Sequence, residues 1–223
     1  MDVTPESVKA LLKSEDYGDR LSAVNQMRYL DSSDAFGMIQ LAAADTNPRV
    51  RYAAVSQLSS LGDQDMPEVE KILRNCLLRD PDPDVRAAAA DSIGALKLTG
   101  AFDDLQVLYR ETSEWLVKFS IVAALGELGD PRGFDILEDA LTSDNELIRT
   151  VAIGSLGELG DRRAIPILVT YADSDDWQIR HRVAQALSRL GGTEVESTLQ
   201  TLADDTAAPV AQEAQGYLSD DQA

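Results

Sequence analysis

Five basic residues recur at nearly equal spacing along the chain and have the chemistry to bind carboxylates. They are Arg51, Arg86, Lys118, Arg149 and Arg180. Because a guanidinium offers parallel N–H donors, each arginine of this basic column can pair with a carboxylate through two hydrogen bonds. Two interpretations are open. The column either lines a groove that binds an anionic ligand, or each cation bonds an acidic or Asn helix cap of the adjacent segment and serves the fold.

Aromatic residues stand at two fixed distances from these cations. Three residues before the basic position lie both tryptophans of the chain, Trp115 and Trp177, and directly after it lie Tyr52, Phe119 and His181. A flat aromatic surface beside cations suits a planar anionic ligand or an anchor residue of a protein partner. The alternative is that the tryptophans fill gaps between structural segments. The candidate binding residues are Arg51, Tyr52, Trp115, Lys118, Phe119, Arg149, Trp177, Arg180, His181 and Arg182.

The chain has one histidine, His181, and one cysteine, Cys76. Metal sites built from these residue types are thereby excluded, and neither a metal nor another cofactor is expected. A cysteine–histidine nucleophile pair needs hydrogen-bond contact, whereas these two residues belong to segments far apart in the chain. Cys76 is expected to fill a small space in the core. The catalytic residues, if the protein has any, are unassigned.

The basic column belongs to an internal repeat. Arg20 occupies the same position in the first copy, so the full column is Arg20, Arg51, Arg86, Lys118, Arg149 and Arg180, at intervals of 31, 35, 32, 31 and 31 residues, and a further 31 residues lead to Ala211. The copies align on a common form: an acidic residue or Asn, a pair such as Val-Arg, and a run rich in Ala that ends in Leu-Gly in four of them. A period of this length is typical of proteins that stack one small structural unit.

Every copy predicts a helix with one buried face. Apolar residues directly precede the basic position and follow it by seven and ten residues, which puts them on one side of a helix. The predicted N-caps are Asp16, Asn47, Asp82, Glu114, Asn145 and Asp176. The predicted helix ends are Gly62, Gly129, Gly160 and Gly191. Amphipathic segments between the copies predict the first helix of each pair, at 35–44, 68–78, 102–108, 133–141 and 164–171.

Six to seven helix pairs of this kind predict an all-α fold, a HEAT-repeat solenoid in which antiparallel pairs stack into a right-handed superhelix. A single pair cannot bury its apolar face, so one continuous domain over residues 1–223 is expected. The degenerate copy at about 194–218 is expected to cap the C-terminal end.

The composition fits this class of protein. Of the 223 residues, 44% are hydrophobic but only 5% aromatic, which favours thin layers of small aliphatic side chains. The formal net charge of −19 argues against nucleic acid as a partner, because such binding needs a basic surface. No apolar run approaches the roughly 18 residues of a membrane span, and the start lacks the pattern of an export signal. A cytoplasmic location is therefore expected.

Four segments resemble a known family. They are Thr-Pro-Glu-Ser-Val at 4–8, Ser-Glu-Asp-Tyr-Gly-Asp-Arg at 14–20, Val-Arg-Tyr-Ala-Ala-Val-Ser-Gln-Leu at 50–58 and Thr-Ser-Glu-Trp-Leu-Val at 112–117. Over nearly its whole length the chain resembles the cyanobacterial HEAT-repeat proteins of the phycobilin-lyase-like group, especially those of phycobilisome degradation. The opening segment and the turn at Trp115 carry more of this likeness than the generic repeat does.

The resemblance implies a cyanobacterial protein that engages phycobiliproteins or their open-chain tetrapyrroles and assists removal of the chromophore during antenna turnover. Related lyase subunits attach or detach bilins on antenna proteins. A bilin has two propionates and a flat conjugated system, which the basic and aromatic columns are suited to accept. Another relative in this group resembles an interaction partner of an iron–sulfur scaffold protein. A non-enzymatic protein–protein adaptor is therefore the alternative function.

Overall fold

The computed structural model describes residues 3–61 and 64–220. Within these ranges the chain forms fourteen α-helices and no β-strand, which confirms the predicted all-α fold. No helix in the same ranges is long and apolar enough to cross a bilayer. Gly62, which the sequence predicts to end a helix, lies outside the described residues.

The helices group into two compact units, Met1–Ala124 and Leu125–Ala223. The helices that begin in the first unit are α1 (Pro5–Leu12), α2 (Tyr17–Met27), α3 (Ser32–Ala42), α4 (Pro48–Leu61), α5 (Met66–Arg79), α6 (Pro83–Ala95), α7 (Phe102–Glu111) and α8 (Trp115–Leu128). Those of the second unit are α9 (Phe134–Ala140), α10 (Glu146–Leu159), α11 (Ile165–Val169), α12 (Trp177–Leu190), α13 (Thr193–Leu202) and α14 (Ala208–Asp220). The unit boundary falls inside α8.

Each odd-numbered helix and the even-numbered helix after it form one repeat, and within each unit the even-numbered helices pack side by side. All six copies of the basic column lie on these second helices, as the sequence predicts. The terminal pair, α13 and α14, occupies the segment that the sequence predicts to be the degenerate last copy of the repeat. Short 3-10 turns lead into α7, α9 and α11 at Thr99–Ala101, Pro131–Gly133 and Arg162–Ala164.

Local side-chain chemistry fixes where the second helices begin and end. The Asp16 carboxylate accepts a hydrogen bond from the backbone N–H of Gly18 at 2.6 Å and thereby caps α2. The same contact to the residue two positions ahead is made by Asn47, Asp82, Asn145 and Asp176. At the other end, α8, α10 and α12 are followed by glycines with positive φ angles of 68°, 74° and 61°, at Gly129, Gly160 and Gly191. Glycine adopts this conformation without the steric cost of a Cβ atom.

The buried faces follow the predicted offsets. The residues seven positions after the basic column are buried in six repeats, at Met27, Leu58, Ile93, Leu125, Leu156 and Leu187. The leucines ten positions after it are mostly half-buried, because they lie where the helix emerges into its closing turn. Cys76 is buried in α5, and burial raises the pKa of its thiol to about 11.

Successive second helices approach so closely that their backbones touch at small residues. A Cβ atom added to Gly157 in α10 would lie 2.6 Å from the Cα atom of Ala186 in α12. Gly126 meets Ser155 in the same way at 2.7 Å, within the second unit. Real Cβ atoms do not approach backbone this closely, so glycine at this position is required by packing between repeats.

Two glycines of α10 provide a direct test of this packing. Gly157→Ala should destabilise the fold by about 1–3 kcal/mol, because the new methyl group pushes α12 away. Gly154→Ala should instead stabilise it by about 0.5–1 kcal/mol, since a Cβ atom at Gly154 meets nothing within 4 Å. Urea unfolding of both variants measures the difference. Equal effects of the two substitutions would contradict the proposed close contact.

Candidate partner-binding site

The basic column forms ion pairs between repeats at three of its positions. Arg20 donates from Nε and Nη2 to the two oxygens of Asp45 at 2.6 and 2.9 Å. Arg51 makes the same pair with Asp80 at 2.7 and 2.8 Å, and Arg180 with Asp205 at 2.6 and 2.9 Å. We call each such pair a rung. The third nitrogen of each guanidinium donates to backbone carbonyls of the loop in its own repeat, at Ser14, Asp45 and Ser174.

The acceptor in each rung lies two residues before the N-cap. Asp45 precedes the cap Asn47 and also accepts its backbone N–H at 2.8 Å. Asp80 and Asp205 accept the equivalent N–H groups at 2.9 and 2.7 Å. The interpretation in which each cation bonds the cap itself is therefore wrong in this detail. The cap oxygen is already used by its own helix, and the aspartate upstream takes the guanidinium.

A rung occupies most of the hydrogen-bonding capacity of its arginine. In the rung of Arg180 both carboxylate oxygens and three guanidinium nitrogens have partners inside the protein. The hydrogen bonds from Arg180 hold the pKa of Asp205 below its ordinary value of 3.8. Arg51 and Arg180, both predicted as candidate binding residues, are thus held in ion pairs between repeats, and their part in binding stays a prediction.

The rung is absent at the three middle positions of the column, Arg86, Lys118 and Arg149. In the loops that follow them, the aspartate position holds a hydroxyl residue, at Thr112, Ser143 and Ser174. These hydroxyls still accept the backbone N–H two residues ahead, at 3.1, 3.2 and 3.3 Å. The turn is thus preserved while the negative charge is lost.

The three cations without a rung make weaker contacts. Arg86 donates from Nε to the carbonyl of Leu77 at 3.0 Å, and Arg149 donates from Nη1 to that of Ser143 at 2.6 Å. The Nζ atom of Lys118 lies 5.3 Å from the centre of the Tyr109 ring, a cation–π contact. In the part of the chain that the structure describes, none of the three forms an ion pair. Their charge remains uncompensated at close range.

Trp115, Lys118 and Phe119 form one candidate surface, which we call the α8 patch. These residues are spaced by three and four positions, which brings their side chains to one side of the helix. The Trp115 side chain is 48% exposed, and Lys118 and Phe119 are half-buried. The patch combines an accessible indole, a second aromatic ring and a cation.

The second unit carries its own cluster on α12, formed by Trp177, His181 and Arg182. The Trp177 and His181 rings lie 6.5 Å apart between centroids, and Trp177 is 43% exposed. Arg182 is exposed and makes one long contact to Gln185. This α12 cluster lies beside the rung of Arg180. The remaining candidate binding residue of this unit is Arg149, on α10.

Tyr52 belongs to a different environment. It is 48% exposed and lines a groove of about 400 Å³ on α2, α4 and α6. Asp82 and Asp84 line the same groove with Arg49. Because the carboxylates outnumber the cation, this groove is not suited to an anionic ligand. The surroundings of Tyr52 are therefore acidic, whereas the α8 patch contains a cation.

A metal site within the described ranges would need several ligand side chains that converge on one point. No group of three or more His, Cys, Asp or Glu side chains there is arranged to hold a metal ion. Burial and a raised pKa make the Cys76 thiol a poor nucleophile.

Comparison with known proteins identifies the repeat. A family model of HEAT repeats matches residues 4–76, 70–156 and 141–219. The chain belongs to the HEAT-repeat family. The curated proteins contain no significant sequence match to this HEAT-repeat protein.

Solved structures share its fold. A chain of the complex of CpcE and CpcF of phycocyanin lyase from Nostoc sp. PCC7120 matches with a TM-score of 0.66 and 22% identity, over 100% of this chain and 90% of that one. The Escherichia coli protein YibA matches with a TM-score of 0.66 and 18% identity, over 99% and 83%. An engineered protein matches with a TM-score of 0.61 and 20% identity, over 98% and 68%. At these identities the likeness establishes the fold.

The rung of Arg180 and Asp205 predicts a specific dependence of stability on pH. Because the pKa of Asp205 is lower in the folded protein, the rung stabilises the fold fully above the ordinary value of 3.8 and is lost as the pH falls through the folded pKa. Asp205→Asn should therefore lower the free energy of unfolding at pH near 7, and its deficit relative to the unsubstituted protein should shrink in acid. Urea unfolding across this pH range measures the deficit. A deficit of constant size would contradict the role of the ionised rung.

Proposed function

We propose that this HEAT-repeat protein binds an anionic partner through the α8 patch, and that the partner is a phycobiliprotein or its open-chain tetrapyrrole. The observation that carries the proposal is the exposed Trp115 beside Lys118, a cation of the basic column that no rung neutralises. Tryptophan and paired charges dominate the binding energy of many interfaces. Elsewhere in the column, Arg20, Arg51 and Arg180 are committed to the fold.

The chemistry of a bilin matches this surface. Its conjugated rings can stack on Trp115 and Phe119, and a propionate can pair with Lys118. A phycobiliprotein can use the same contacts through an aromatic or aliphatic anchor residue and a nearby carboxylate. In both cases a bound carboxylate would take the place that an aspartate fills in a complete rung.

Two likenesses support this choice of partner. The segments at 4–8 and 112–117 resemble the phycobilin-lyase-like group, and within it the phycobilisome degradation protein NblB. The fold is shared with a phycocyanin lyase complex. On this basis we infer that the protein assists detachment of chromophore during phycobilisome turnover in the cytoplasm of a cyanobacterium. An adaptor role toward an iron–sulfur scaffold protein has no observation in its favour.

Titration with phycocyanobilin, and separately with intact phycocyanin, tests the proposal. Bilin absorbance and tryptophan fluorescence should change in a saturable way when the ligand reaches the α8 patch. Trp115→Ala should abolish most of this response, and Lys118→Glu should weaken binding roughly tenfold because it replaces attraction by repulsion.

Tyr17→Ala is the matched control for these substitutions. Tyr17 occupies the position of Trp115 in the first repeat and is 44% exposed, but its neighbour Arg20 is held in a rung. This variant should bind like the unsubstituted protein. Trp177→Ala reports separately on the α12 cluster and should retain binding. Absence of a saturable response to both ligands, or equal loss in all three aromatic variants, would overturn the proposal.

A further inference from the structure

A groove between α1 and α3 lies on the first helices of the first two repeats, whereas the α8 patch lies on a second helix. Its volume is about 480 Å³, a size suited to a few side chains of a partner. Leu12, Met38 and Leu41 form an apolar floor, and Lys9 and Lys13 lie along its α1 side. The groove therefore combines apolar surface with concentrated positive charge.

The charge of this groove is opposite to that of the chain. The sequence has a net charge of −19 and five lysines, of which Lys9 lies in the last turn of α1 and Lys13 is its C-cap. Both are exposed, and neither forms an ion pair within the described ranges. Asp45 also lines the groove, but Arg20 occupies its oxygens in a rung. Asp34 is the remaining carboxylate, so the lysines outnumber it.

The floor presents apolar surface that the fold leaves uncovered. Leu41, near the C-terminal end of α3, is 69% exposed, whereas Met38, one turn earlier, is 2% exposed. A partner that covered Leu41 would remove its exposed apolar surface from water, which favours binding.

Gly37 is one of the residues that line this groove. It lies inside α3, where glycine is a poor helix former, and it is exposed. A Cβ atom at this position would meet nothing within 4 Å. Packing within the protein therefore does not require glycine here. The missing side chain instead keeps the middle of the groove open.

We propose that the groove binds an acidic amphipathic helix of a partner protein. Apolar residues of that helix would cover Leu41 and the accessible part of Leu12, and carboxylates one turn apart would pair with Lys9 and Lys13. The eleven residues of α3 span about 16 Å, which matches three turns of a docked helix. Because the lysines repel like charge, a basic helix would be rejected.

The probe for this test is a fluorescein-labelled helical peptide of about 14 residues, with leucines on one face and glutamates beside them. A second peptide carries lysines in place of the glutamates. Fluorescence anisotropy should show saturable binding of the acidic peptide that weakens with added salt, and no binding of the basic one.

Two substitutions of the protein should each weaken binding of the acidic peptide roughly tenfold. The double change Lys9→Glu and Lys13→Glu reverses the charge, and Gly37→Leu fills the groove. Gly37→Leu should not lower the melting temperature, because leucine favours the helix, so its effect is separable from unfolding. Gly154→Ala, a helix-interior glycine of the second unit, is the matched control and should bind like the unsubstituted protein.

Any of four results would overturn the proposal. One is absence of saturable binding, the next is equal binding of the acidic and basic peptides, and another is undiminished binding by Gly37→Leu. The last is self-association in sedimentation velocity that Lys13→Glu abolishes, because a second copy would then occupy the groove.

Discussion

No helix pair in this chain can cover its own apolar face, and the structure therefore depends on the contact between one repeat and the next. Within each unit that contact is made chiefly by the second helices. At Gly126 and Gly157 their backbones approach so closely that no side chain fits between them. The buried aliphatic column around Leu156 can form a continuous core only because these helices lie so near each other. Packing at this distance also sets the geometry in which a guanidinium spans from one repeat to the next.

The rungs connect neighbouring repeats through specific ion pairs. They also determine which cations of the basic column have no carboxylate partner among the described residues. Arg20, Arg51 and Arg180 each satisfy an aspartate of the following loop and their own loop carbonyls. At Lys118 and Arg149 the aspartate is replaced by a hydroxyl residue, which preserves the turn and removes the partner charge. The same column thus serves stability in some repeats and leaves cations uncompensated in others. This division explains how a strongly acidic protein can present a local surface for an anionic partner.

Much of the fold can be predicted from the sequence because its signals are local and repeated. The offsets of buried residues, the caps such as Asp176 and the closing glycines such as Gly160 are each set within one helix and its neighbouring turns. The partner of each arginine depends on a contact between repeats, so the sequence pattern points to the cap instead of Asp205 two residues upstream. The position of that aspartate relative to the cap recurs at Asp45 and Asp80 and could have revealed it.

The candidate site was less predictable for the same reason. Sequence spacing alone places Arg180 and Lys118 in one column, although only the first has a carboxylate partner. Likewise, the groove at Gly37 has no signal in the repeat, because it depends on two first helices meeting and on a side chain that is absent. Periodicity indicates which residues are equivalent, whereas the proposed binding surface lies in a repeat that departs from the pattern.

Hydrogen–deuterium exchange of the protein, alone and mixed with phycocyanin, tests the central claim that the incomplete rung at Lys118 marks the binding surface. Binding at the α8 patch predicts slower exchange of backbone amides at the start of α8, around Trp115 to Phe119. The equivalent amides of α2, beside the complete rung of Arg20, should be unchanged. Protection of α2 without α8, or no protection in any second helix, would contradict the account.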